Sequence, residues 1–189
     1  MSGEPSPPVR LIRDFINTAE PELGTDQLTP ATAAGCLQRL GLLPPKTRLT
    51  AADLQLLVGV REGLREVLLD HAGHQTRPTV LGDLDRLLGT VPLTVGLGGG
   101  VPSLNAVENR AAHRVVAAVL SALLAAPPEE WARLKVCARE ICRWAFFDSS
   151  RNRSGRWCSM AACGNIVKMR RAYRARTAAA GPRPAGDRG

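Results

Sequence analysis

The chain has 189 residues, 44% of them hydrophobic and 4% aromatic, with a formal net charge of +8. That is enough for one medium core plus a small stapled module, and too apolar for a disordered chain. No apolar run reaches the roughly 18 residues of a membrane span; the best candidate, Val115 to Ala126, is too short. The start, MSGEPSPPVR, has no apolar run behind a basic head. A secretory signal is therefore not expected, and a cytoplasmic location is.

In chain order, residues 1–8 are Pro/Ser-rich and expected to be disordered. Val9 to Ala19 carries Leu11, Ile12, Phe15 and Ile16, which fits either a strand leading into a helix or an amphipathic helix outright. The polar residues there, Asp14, Asn17 and Thr18, either line a ligand pocket or, more commonly, cap a helix or bond a neighbouring backbone. Thr29-Pro30 marks a helix start, and that helix should run to Leu43 before Pro44-Pro45. Cys36 sits on it as a buried small hydrophobe. Thr50 opens the next helix with Asp53 as capping-box partner, and it ends near Gly73. Its apolar stripe, from Leu54 to Leu68, is interrupted at Arg61. His71 and His74, three apart near its end, make a weak metal claim; exposed histidines at a frayed end are the plainer reading.

Thr79 to Leu88 is a short helix. Val91 to Leu104 holds strand-like runs around a Gly98-Gly99-Gly100 turn. No Lys-Ser/Thr follows those glycines, so they are not a phosphate loop. Ser103 to Ala126 reads as the longest helix and the spine of the domain, ended by Pro127-Pro128 at the expected domain boundary. Trp131 and Leu134 could pack the next module against it.

Cys137 and Cys142 form one pair, Cys158 and Cys163 another, with four residues inside each pair and fifteen between them. This spacing suits one structural Zn2+ held tetrahedrally by four thiolates. Two disulfides are the alternative, but they are disfavoured in a cytosolic chain. Between the pairs, Trp144, Phe146 and Phe147 are expected to form the first strand of a hairpin. Asp148 to Gly155 would be its turn, and Arg156 and Trp157 its return. The second pair then opens a helix whose first turn supplies two ligands. Knuckle, hairpin and helix in that order make a treble-clef-like layout.

The charge is localised. Arg151 to Gly189 holds 10 Lys/Arg against one acid, Asp187, for +9, while residues 1–150 hold 15 basic and 16 acidic residues, for −1. Such a basic end is the electrostatic footprint of nucleic-acid binding; a solubilising or membrane-surface tail is the bland alternative. Taking about 100° per residue, Ile166, Met169 and Tyr173 share one side of the C-terminal helix. Arg170, Arg174, Arg171 and Lys168 follow in a contiguous arc, and Arg151, Arg153 and Arg156 add charge at the hairpin turn. The apolar side is expected to pack on the hairpin. No Asp or Glu lies on this helix, whereas solvated helices usually mix signs.

The segment DSSRNRSGRWCSMAACGN resembles the CGNR zinc finger, named for the last cysteine followed by Gly-Asn-Arg. Here Cys163, Gly164 and Asn165 are followed by Ile166, which departs from that pattern. In that family the finger usually follows a domain called ABATE, a stress-induced transcription regulator, and Asp14 to Thr18 resembles the opening motif of that domain. The resemblance spans roughly Val9 to Arg176, specifically over the finger and more weakly over the middle.

The expected fold is mainly α with small β elements: a helical ABATE-like domain over 9–128, then a treble-clef-like four-cysteine finger with a basic helix over 129–177. Residues 178–189 would be a disordered tail. The expected function is a bacterial DNA-binding transcription regulator. Its basic residues would mainly neutralise phosphates. The N-terminal domain would sense a small molecule, bind a protein partner or form a homodimer. A zinc-finger adaptor that binds an acidic protein surface is the alternative. No nucleophile–base pairing, P-loop or open metal site points to an enzyme.

Overall fold

The computed structural model describes residues 4–100 and 102–179, with side chains to residue 177. The chain forms two compact units, Met1–Cys158 and Ser159–Gly189. The expected disordered ends, 1–8 and 178–189, lie outside the described residues at 1–3 and from 180 onward.

The first unit is built on three helices: α1 (Pro7–Ile16), α3 (Ala51–His71) and α5 (Ala111–Ala125). Their apolar faces meet in one core, with Val9, Ile12, Phe15 and Ile16 from α1, Leu57, Val60, Leu64 and Leu68 from α3, and Ala112, Val115, Val116 and Val119 from α5. The amphipathic-helix reading of this stretch holds up to Ile16, and the helix starts at Pro7, inside the stretch expected to be disordered. Just before it, the Ser6 amide donates to the Glu130 carboxylate at 2.8 Å. Between α1 and α3 lie a two-residue antiparallel ladder, β1 (Ala19–Glu20) with β2 (Thr25–Asp26), and a short α2 (Ala33–Arg39) carrying the buried Cys36. That helix is shorter than expected. Thr29 to Thr32 is spent on a turn in which the Thr32 hydroxyl bonds the Gln27 carbonyl at 2.8 Å.

The longest helix is α3, and both of its ends are encoded locally. The Thr50 hydroxyl accepts from the Asp53 amide at 3.1 Å, and the Asp53 carboxylate accepts from the Thr50 amide at 2.9 Å. At the other end Gly73 takes φ 67°, the Gly73 amide bonds Asp70 and the His74 amide bonds Leu69. This is a Schellman stop, which needs the left-handed residue that glycine supplies. α4 (Pro78–Gly89) lies close along α3, because a Cβ on Gly59 or Gly63 would collide with Leu87 or Leu84.

The predicted spine from Ser103 to Ala126 is two elements. Ser103–Ala106 is strand β4, paired antiparallel with β3 (Leu93–Gly96) across the glycine turn, and only Ala111–Ala125 is helical. The non-local ladder outweighs the local helical pattern there. Val107, just after the strand, is exposed. The hairpin is tied to α5 by Ser121, whose hydroxyl accepts from the Leu104 amide at 2.8 Å.

After a short α6 (Pro128–Trp131), β5 (Leu134–Val136) pairs antiparallel with β6 (Ala145–Phe147), Leu134 opposite Phe147 and Val136 opposite Ala145. Leu134, Val136 and Ala145 are fully buried in the same core as the helices. The second unit is a π-helical turn, Met160–Gly164, running into α7 (Asn165–Ala179).

Candidate metal centre and nucleic-acid interface

The β5–β6 ladder brackets the first cysteine pair. Cys137 follows β5 directly, and its amide donates to the Trp144 carbonyl at 2.9 Å, closing the ladder below the loop that carries Cys142. Inside that loop the Cys142 amide bonds the Arg139 carbonyl at 2.9 Å, and Arg143 turns the chain with φ 48°. The expected hairpin between the two pairs is therefore corrected. Its aromatic strand exists as β6, but its partner is β5, ahead of Cys137, rather than Arg156-Trp157. The returning segment meets the knuckle through a bond from the Ala138 amide to the Arg156 carbonyl at 2.8 Å.

Helical placement of the second pair is also revised. Cys158 precedes the helical turn and only Cys163 lies in it. Ser159 caps that turn: its hydroxyl accepts from the Ala162 amide at 3.3 Å and its carbonyl from the Gly164 amide at 3.0 Å.

The Sγ atoms of Cys137, Cys142, Cys158 and Cys163 all lie within 4.8 Å of one another, and none is in a disulfide. Four sulfurs at about 2.3 Å from one zinc ion would sit about 3.8 Å apart. The Cys142–Cys158 separation is 3.7 Å, against about 2.0 Å in a disulfide. A soft, all-thiolate set with three of its four members buried fits one structural Zn2+. Cys137, Cys142 and Cys163 are buried, and Cys158 is half-buried. His71 and His74 are not in the group. His71 bonds the Leu134 carbonyl at 3.1 Å and stands edge-on to Trp131, with ring centroids 4.8 Å apart.

The knuckle is held from the helical side by Asn17, Arg65 and Arg139. The Asn17 side chain donates to the Ala145 carbonyl at 2.9 Å and accepts from the Ala145 amide at 2.8 Å. Arg65, buried on α3, donates to the Arg143 carbonyl at 2.7 Å and to the Ile16 carbonyl at 2.8 Å. Arg139 pairs with Glu22 at 2.7 Å. Thr18 bonds the Phe15 carbonyl at 2.8 Å, so two of the three singled-out polar residues serve backbone; Asp14 pairs with Arg13 at 2.8 Å. Arg65, four residues after Arg61 on α3, carries no sequence signal of this role.

The turn after β6 is organised by Asp148. Its buried carboxylate accepts from Lys135 Nζ at 2.8 Å, the Ser150 amide at 3.0 Å and the Gly155 amide at 2.9 Å. Burial pushes this carboxyl up, but those bonds outweigh it and hold its pKa at about 2. The arrangement leaves Arg151, Arg153 and Arg156 exposed, with the Arg156 guanidinium 5.8 Å from the Trp157 ring centroid.

On α7, Lys168, Arg170, Arg171 and Arg174 are all exposed, and so is Arg176, which continues the arc. Met169 and Tyr173, on the apolar side of this helix, are 71% and 63% exposed. Ile166 is half-buried. Among the described residues, no helix is long and apolar enough to cross a membrane.

No curated protein matches the chain. Two family models do. Residues 133–177 match the CGNR zinc finger, and residues 10–134 match ABATE, described as "Putative stress-induced transcription regulator". With that model covering most of its length and the four-cysteine cluster in place behind it, the chain belongs to the ABATE family and ends in a CGNR zinc finger.

Proposed function

We propose that this protein is a DNA-binding transcription regulator of the bacterial cytoplasm, with α7 and the Asp148–Gly155 turn as its phosphate-contacting surfaces. The observation that carries this reading is the composition of α7: five exposed cations, Lys168, Arg170, Arg171, Arg174 and Arg176, and no acid. Long, exposed cations on one helix neutralise phosphates and release counterions, giving affinity that falls steeply with salt. Zinc acts structurally here, fixing the fold around the basic residues. The family description supports regulation of transcription, and the N-terminal unit is then the part that receives a signal or forms a homodimer.

The exposed Met169 and Tyr173 favour one competing reading, an adaptor that docks on an acidic protein surface. A salt series decides between them. Zinc-loaded protein should bind duplex DNA with a steep negative salt slope. Arg170→Ala, Arg171→Ala and Arg174→Ala combined should flatten that slope by roughly three phosphate contacts. Unchanged affinity in the triple variant would overturn the DNA reading, and absence of binding at low salt would favour the adaptor.

A further inference from the structure

The first unit contains a cleft of about 730 Å³ between α1 and β6, on the flank of the metal centre. Arg13, Asp14 and Asn17 form one wall; Trp144 to Phe147, Ser149 and Cys158 form the other; Glu4 and Pro5 lie at its rim. Its size is that of a small-molecule site.

Three properties of the walls define what would fit. The first is charge. Glu4, Asp14 and Cys158 line the cleft, with Arg13 the one cation among the lining residues. Asp14 pairs with Arg13 and Glu4 with Arg10, each at 2.8 Å, so both cations are already engaged. A zinc ion with four thiolates adds a net charge of about −2 beside Cys158. The second is aromatic surface, since Trp144, Phe146 and Phe147 line the cleft and the faces of such rings attract cations. The third is an open strand edge. The ladder bonds Trp144 to Cys137 and Asp148 to Arg133, so alternation turns the amide and carbonyl of Ala145 and Phe147 away from β5. Asn17 takes both groups of Ala145. Those of Phe147 come next along the same edge, in the cleft wall.

We propose that this cleft is a binding site for a small organic cation of the amidinium or guanidinium class. Its flat, positively charged group would lie among Trp144, Phe146 and the Asp14 carboxylate, donating to the outward carbonyl of Phe147. The site stands independently of whether the chain binds DNA. It gives the half-buried Asp14 a role beside Asn17: one residue fastens the strand and the other faces the occupant.

The test uses three probes of one shape and different charge, benzamidine, benzamide and benzoate, titrated into the zinc-loaded full chain and followed by ligand-observed NMR. Benzamidine should bind about tenfold more tightly than benzamide, with benzoate weakest. Asp14→Asn should remove most of that preference. Ser149→Lys, which adds a cation to the exposed rim, should weaken benzamidine and spare benzamide. Both variants alter exposed or half-buried side chains, and zinc content and melting temperature would verify their fold. Equal affinity for all three probes, a preference for benzoate, no binding of benzamidine at about 10 mM, or an unchanged preference in both variants would overturn the proposal.

Discussion

Asn17 closes both hydrogen bonds of Ala145, one through its amide nitrogen at 2.9 Å and one through its amide oxygen at 2.8 Å. A single side chain at the end of α1 thereby acts as the missing third strand beside β6. Asn17→Ala would leave a buried N–H and C=O without those partners. The expected cost is about 2 kcal/mol in urea denaturation, with faster zinc release to a chelator. Asn17→Asp can accept but not donate, so it should recover at most one of the two bonds.

Zinc binding itself is directly measurable. Reduced protein should carry one zinc per chain, and Cys137→Ser or Cys163→Ser should abolish tight binding. Affinity should fall as pH drops, because each thiol must lose its proton to bind the metal as a thiolate.

Asp148 gives a second pH signature. Its carboxyl is lowered from 3.8 to about 2 in the folded chain. A depressed folded value means that the stabilisation is fully present above pH 3.8 and is lost as pH falls through about 2. The size is roughly 2 kcal/mol. Asp148→Asn should therefore be less stable than wild type at pH 7 by at least that amount, and the gap should narrow below about pH 3. Comparing the two proteins at each pH cancels the loss of zinc common to both. A constant gap across the range would count against this account.

Close backbone approach predicts a different pair of effects. A Cβ on Gly155 would sit 2.6 Å from Asp148 Oδ1, and one on Gly63 would sit 2.7 Å from Leu84 Cβ. Gly155→Ala and Gly63→Ala should each cost about 1–3 kcal/mol. Only the first should also disturb the Asp148 titration, since only it displaces that carboxylate.

The parts of this fold that were legible in the sequence are those fixed by neighbours in the chain. Thr50 and Asp53 announce the start of α3 within four residues, Gly73 announces its end, and the cysteine spacing announces the metal. The parts that were not legible depend on distant partners. Ser103–Ala106 reads as the head of a helix because its strand partner lies ten residues upstream, across the glycine turn. Phe146 reads as paired after the turn because Asp148–Gly155 looks like a hairpin tip. Its real partner, Lys135, lies before the knuckle, and the turn is shaped around a buried carboxylate instead. Arg65 reads as an ordinary helical cation until the carbonyls of Ile16 and Arg143 are seen at its guanidinium.

Leu134, Val136 and Ala145 belong to the cysteine knuckle by sequence and to the helical core by burial. The two family matches meet at residues 133 and 134, at the threshold of β5. A fragment cut at that seam would expose fully apolar positions on both sides of the cut. The finger is thus not a detachable cartridge, and melting of the helices and escape of the metal should occur as one cooperative event. Heat or any insult that loosens the core would then be read out at the thiolates, without a separate relay between them.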